Sequence, residues 1–340
     1  MPDPLSSPTT IFVTGGTGFI GTKLVNALVA RGHTVRCLSR STSNIEGLSH
    51  ERISFVPGNT LDRASLKKGM EGCSQVYHVA GYTKNWAKDP QEFYRQNVDG
   101  MQNVFDAARE ARVQRVVFTS TIVTLGPSPR GEVRDESMPR ITFRYFTEYE
   151  ESKVVAERKA MDQAAAGFPV VIVNPTRVYG PGKLTEGNSV SLMIDMYDRG
   201  KVPVLLNGGV DVGNYVLVDD LVEGQILAME RGRIGERYIL GGENASLKDI
   251  FRLVDEASGK KHFQLKLPPK VALLFGAIEK KKADWLGIYP QITPPWVETF
   301  LQDWAYTSAK AERDLGYRHI PLKEGIRRTY EWILEQRKKR

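Results

Sequence analysis

The chain has 340 residues, 41% of them apolar and 26% charged, with a formal net charge of +7. That is enough apolar material for a large core or about two domains, and the balance is that of a soluble globular protein rather than a disordered or fibrous one. Three features narrow the class further: cations dispersed among acids argue against nucleic acid, no apolar run is long enough to span a bilayer, and only two cysteines, Cys37 and Cys73, sit in or beside apolar stretches.

Those cysteines are expected as buried thiols, which fits a reducing, cytoplasmic setting. The opening Met1 to Pro8 has neither the basic start nor the apolar run of a signal peptide. The first half then alternates short apolar runs with helical patterns, which predicts parallel strands joined by crossover helices. Strands are expected at Thr10–Val13, Thr34–Leu38, Ile53–Val56, Gln75–Val79, Arg115–Thr119 and Val170–Val173. Helices are expected at Thr22–Ala30, Ala64–Gly69, Tyr94–Ala111 and Tyr149–Ala166.

Gly15, Gly18 and Gly21 fall between the first strand and the first helix. Glycines there permit a tight turn, the approach of a pyrophosphate to backbone N–H groups, and close helix–strand packing. At the end of the second strand, where a carboxylate would hold the ribose hydroxyls of NAD, the chain reads Ser39-Arg40-Ser41. A guanidinium and hydroxyls suit a ribose 2′-phosphate, so NADP is expected, with NAD as the alternative; Arg36 is a second cation inside the strand. Further on, Tyr149 and Lys153 are four apart, which on a helix places phenol and ammonium on one face, where the charge favours proton transfer by the phenol.

After Gly180-Pro181-Gly182 the rhythm breaks into glycine- and proline-punctuated pieces, the pattern of a smaller lobe built from excursions. Asn214–Asp220 and Arg237–Leu240 read as returns to the main sheet. The expected architecture is α/β: a doubly wound, Rossmann-type parallel sheet with a smaller C-terminal substrate lobe. The dinucleotide-binding domain would be 1–180 plus 214–240, and the lobe 181–213 plus 241–335. Open parallel sheets bind ligands at their carboxyl edge, here facing the lobe. Val271–Ile278, flanked by Lys270 and Lys280–Lys282, reads as an amphipathic helix covering part of the lobe, with contact to a membrane surface as the alternative, and Arg337–Arg340 as a solvated tail. His78 and Cys73 lack a third ligand, so no metal site is expected.

Taken together, these motifs resemble the extended short-chain dehydrogenase/reductase family (the NAD-dependent epimerase/dehydratase superfamily), in particular its dihydroflavonol-reductase-like and 3-beta-hydroxysteroid-dehydrogenase-like branch. The matching segments are Thr14-Gly-Gly-Thr-Gly-Phe-Ile-Gly21, Tyr77-His-Val-Ala80, Asn97-Val-Asp-Gly100, Val117-Phe-Thr-Ser-Thr121, Tyr149 with Lys153, Asn174-Pro-Thr-Arg-Val-Tyr-Gly-Pro-Gly182, Val218-Asp-Asp220 and Ser308 to Tyr317. They cover nearly the whole chain, and their order is more specific than any one of them. The resemblance implies a catalytic hydroxyl at Thr121, with Ser120 the second candidate, beside Tyr149 as proton donor and Lys153 on the nicotinamide ribose, where it would also lower the phenol's pKa. It implies cofactor contacts from Gly15, Thr17, Gly18, Phe19, Ile20, Ser39, Arg40, Asn59, Thr60, Val79, Ala80, Gly81, Asn97, Thr119, Pro175, Thr176 and Val178. The segments Gly81–Trp86 and Arg144–Phe146 would flank a small-molecule substrate, with Tyr82, Trp86, Tyr145 and Arg177 as candidates; Tyr82 and Trp86 read equally well as lobe-packing aromatics. A homodimer formed through a helical face is also implied.

Two departures matter. Asn59 stands where the family commonly has an adenine-contacting aspartate, and Asn174 stands where sugar-nucleotide epimerases commonly have arginine. The second, with the aromatic approach to Tyr149, favours net reduction of a ketone or aldehyde, or oxidation of a secondary alcohol. A sugar-nucleotide epimerase or dehydratase with a self-regenerating cofactor is the alternative, and a binding protein without turnover the third.

Overall fold

A computed structural model describes residues 8–142, 144–201 and 204–339, so most of the opening segment and Arg340 lie outside the described residues. The first half runs β1 (Thr10–Thr14), α1 (Phe19–Ala30), β2 (Thr34–Ser39), β3 (Ile53–Pro57), α2 (Arg63–Met70), β4 (Gln75–His78), α3 (Gln91–Tyr94), a π turn (Arg95–Asp99), α4 (Gly100–Glu110), β5 (Arg115–Thr119), α5 (Glu148–Ala165) and β6 (Val170–Pro175). The second half runs β7 (Arg177–Tyr179), α6 (Ser189–Asp198), β8 (Val204–Leu206), β9 (Val212–Leu217), α7 (Val218–Arg231), β10 (Arg237–Leu240), β11 (Glu243–Ser246), α8 (Leu247–Ser258), β12 (Leu265–Leu267), α9 (Pro269–Leu286), α10 (Pro294–Phe300), α11 (Ala309–Leu315) and α12 (Leu322–Lys338).

Seven strands form one sheet in the order β10-β6-β5-β4-β1-β2-β3, with every neighbouring pair parallel. The strand residues are apolar on both faces because both are covered. Ile11, Val13, Val117 and Val171 pack under α1, α7 and α11, whereas Phe12, Val116, Phe118 and Ile172 pack under α2, α4 and α5. Successive residues point to opposite faces, so a continuous apolar run feeds two cores.

Arg237–Leu240 pairs with β6 and does return to the main sheet. Asn214–Leu217 does not: β9 is the middle strand of a separate sheet, β11-β9-β7, although its Val216 and the following helix, α7, pack in the core on one face of the main sheet. The short strands β8 and β12 pair beside it, and α6, α8 and α12 enclose the lobe's own core. Cys37 and Cys73 are both free and buried.

Candidate active site

The turn after β1 is built for close approach. Gly15 has φ of 73°, and a Cβ there would lie 2.6 Å from the Ala80 nitrogen. A Cβ on Gly21 would lie 2.0 Å from the Gly15 carbonyl oxygen. Helix α1 starts at Phe19 with no side-chain cap and no acidic residue in its first turn, which leaves its first N–H groups free for an anion. Phe19 and Ile20 contribute packing as well: the Phe19 ring lies against Gly182 at the start of the lobe, and Ile20 against the sheet. Thr17, Val79, Ala80 and Gly81 are partly or fully exposed around this turn.

The neighbouring strands β4, β5 and β6 end on the same edge. Thr119 and Ser120 are buried just past Phe118, while Thr121 is partly exposed. Tyr149 reaches this edge from the first turn of α5, which Thr147 caps by accepting from the Glu150 N–H. Its half-buried phenol is pushed up to about 12 by loss of water, against which a hydrogen bond with the Thr121 hydroxyl pulls down. One helical turn on, Lys153 is buried, donates to the Thr119 carbonyl at 3.1 Å, and sits 4.6 Å over the Phe118 ring. Burial holds its ammonium down to about 8, partly offset by Glu157. The expected lowering of the phenol by Lys153 is therefore not found: desolvation dominates, and the ammonium is held by a carbonyl.

Behind Thr121 is a buried network that was not anticipated. Asn174 donates to the Thr121 carbonyl at 3.0 Å and to Glu157 at 2.6 Å; Glu157 also accepts from Thr124 and from Arg237. Glu157 lies four residues past Lys153 on the same helical face, a signal that the spacing carries but that points to no chemistry by itself. Ser120 is enclosed and its hydroxyl has no partner among the described residues, as is the Thr176 hydroxyl.

The remaining candidates divide. Ser39 ends β2, and Arg40 is exposed with a guanidinium that has no partner among the described residues. Arg36 is turned away, donating to the Glu71 and Gly69 carbonyls at the end of α2. Asn59 is exposed but its side chain accepts from its neighbour Leu61 N–H, and Thr60 is buried against Gly100. Asn97, expected at the cofactor, is instead spent on the protein: its amide accepts from the Tyr82 N–H at 2.7 Å and donates to the Tyr82 carbonyl and to Ser152, clamping the segment after β4 to α5. Pro175 ends β6, and Val178 pairs with Val216 in the small sheet. Tyr82 packs edge-on to Phe93, and Trp86 edge-on to Tyr289 with its N–H on Asp284, the lobe-packing reading. Tyr145 lies under the Arg140 guanidinium, and Arg177 donates to the Tyr215 hydroxyl and sits over Phe300. No cluster of metal-ligating side chains occurs among the described residues.

A family model described as the NAD dependent epimerase/dehydratase family matches residues 11–241. A provisional dihydroflavonol 4-reductase of Synechocystis sp. is 33% identical over 326 residues, covering 95% of this chain and 94% of the relative. A Stigmatella aurantiaca ketoreductase, named for 4-hydroxy-2-methyl-3-oxo-4-farnesyl-3,4-dihydroquinoline-1-oxide, is 33% identical over 313 residues, with 90% and 91% covered. Among solved structures, gox2253 superposes with a TM-score of 0.81 at 31% identity, covering 96% of this chain and 98% of that one.

Proposed function

Because the chain belongs to the NAD dependent epimerase/dehydratase family, and with it to the extended short-chain dehydrogenases/reductases, it is an NAD(P)-dependent enzyme, and we propose that it is an NADP-dependent reductase of an apolar ketone or aldehyde. The observation that carries this reading is the meeting of the Thr121 hydroxyl and the Tyr149 phenol at the carboxyl edge of the sheet, with buried Lys153 one helical turn away. The glycine turn, free of Cβ atoms and opening on an uncapped helix, fits a dinucleotide's pyrophosphate. A dinucleotide so held would supply the hydride from its nicotinamide.

The protein's own part is to hold the substrate oxygen and move a proton. The Thr121 hydroxyl fixes the carbonyl oxygen, and the Tyr149 phenol beside it gives its proton as the oxygen becomes an alcohol. A phenol held at about 12 carries its proton at neutral pH, the form in which it can donate. Lys153, still largely an ammonium at pH 7, offers its remaining donors to the ribose. The unpartnered Arg40 guanidinium supports the preference for a 2′-phosphate. Against an epimerase, which must clamp a nucleoside diphosphate, the Arg177 guanidinium is already engaged with Tyr215 and Phe300.

The test follows NADPH absorbance with a panel of apolar ketones and aldehydes. One NADPH is expected to be oxidised per carbonyl reduced, and Tyr149→Phe should abolish turnover while leaving cofactor affinity nearly intact. Interconversion of a UDP- or GDP-linked sugar without net NADPH oxidation would establish the epimerase instead.

A further inference from the structure

Helix α9 is packed the reverse of an ordinary amphipathic helix. Its small residues Ala272, Gly276 and Ala283 are the buried ones, and a Cβ on Gly276 would lie 3.1 Å from the Pro294 nitrogen, so the helix rests on α10 by a narrow small-residue stripe. Its large apolar residues face out. Val271, Leu274, Phe275, Ile278, Trp285 and Leu286 are all exposed, Trp285 by 87% and Leu286 by 68%. Their spacing of three, four and seven keeps them on one face. Scattered exposed leucines need no explanation, but a stripe along about 20 Å of helix marks an interaction surface.

The helix is also basic: it holds four lysines, Lys270, Lys280, Lys281 and Lys282, against two acids, Glu279 and Asp284. Lys280 and Lys282 each reach one of those acids, at 2.7 and 3.0 Å, while Lys270 and Lys281 are exposed without a partner among the described residues. We propose that α9 docks the protein on an anionic lipid surface, lying in the interface with its apolar face among the acyl chains and its lysines at the phosphates. A second copy fits less well, because a two-fold contact through this face would set the lysine cluster against itself. No helix among the described residues is long and apolar enough to cross a membrane, so the association would be peripheral.

The C-terminal end of α9 adjoins the segment after β4. Asp284 accepts from the Trp86 indole at 3.4 Å, and the Tyr289 hydroxyl just past α9 accepts from the Asn85 N–H at 3.1 Å, so the helix end holds the segment after β4. An apolar substrate dissolved in the bilayer would reach the site along this side. That route rests on the proposed reaction; the docking does not.

The test is co-sedimentation of the full chain with vesicles of phosphatidylcholine alone and of phosphatidylcholine mixed with phosphatidylglycerol. Binding is expected to the anionic vesicles, to weaken with salt, and to fall by about tenfold or more in K280Q/K281Q/K282Q, given roughly fivefold per lysine near a charged surface. The triple variant F275S/I278S/W285S, whose side chains are exposed and carry little of the fold, should lose binding. Absence of vesicle binding, or equal binding to neutral and anionic vesicles, would overturn the proposal. So would a wild-type dimer that the apolar triple variant dissociates, since that assigns the face to a second copy. NADP titration of the same variants, expected unchanged, separates this outcome from failure of the catalytic reading.

Discussion

Phe118 has two basic groups against its ring. His78 stacks on it at 5.5 Å and shares a 2.7 Å hydrogen bond with the Thr14 hydroxyl, while Lys153 lies over the same ring at 4.6 Å. Two such charges cannot both be kept in a site without water, and the histidine yields: burial first, then the Lys153 ammonium, holds it down to about 3. The ordinary value near 6.5 returns on unfolding. Between pH 6.5 and about 3 the unfolded chain therefore binds the extra proton, and stability falls as the medium is acidified through that window, by on the order of 1 kcal/mol per pH unit. Above pH 6.5 the histidine makes no pH-dependent contribution. Urea unfolding at pH 7 and pH 5 should show this loss, and His78→Gln should flatten it; equal slopes in both proteins would place the acid sensitivity elsewhere.

At the level of elements, the glycine turn illustrates what spacing can carry. A methyl group at Gly21 would sit 2.0 Å from the Gly15 carbonyl oxygen, a backbone atom that no rotamer can move aside. Gly21→Ala is expected to cost about 1–3 kcal/mol in thermal unfolding and to impair dinucleotide binding together with it; native affinity in a calorimetric titration would show that the turn can shift. That turn, the crossover rhythm and the Tyr149–Lys153 face were legible because each depends on residues close in sequence. Other features depend on what the chain meets later. Asn214-Tyr-Val-Leu is the same apolar run whichever sheet receives it, so β9's place between β7 and β11 was not readable. Helical periodicity announced Tyr94–Ala111 but not the π turn at Arg95–Asp99, which carries Asn97 to the Tyr82 backbone. Asn174 was legible as a departure from the epimerase pattern, yet its bond to the Thr121 carbonyl needs β6 and the segment after β5 brought side by side.

On the scale of the whole molecule, the lobe is assembled from separated segments and so depends on side-chain ties between its helices. Arg337, in a run that reads as a solvated tail, is one of them: it donates to Asp195 at 2.9 Å and pairs with Asp198, fastening the end of α12 to α6. Asp198 is enclosed and also accepts from Tyr330 at 3.1 Å and Lys260 at 3.3 Å. Removing the guanidinium leaves two carboxylates with fewer partners, one of them out of reach of water, which is more damaging than losing a surface ion pair. Arg337→Ala should therefore destabilise by about 2–3 kcal/mol, less than a wholly buried pair because Arg337 is itself partly exposed. The loss should be local, since α6, α8 and α12 enclose a core separate from those on the two faces of the main sheet. Hydrogen exchange is expected to quicken at amides of α6 and α12 while β1, β4 and β5 keep their protection. Equal acceleration in all of these elements would mean that lobe and sheet open as a single cooperative unit, and that the carboxyl-edge site loses its rigidity whenever the lobe does.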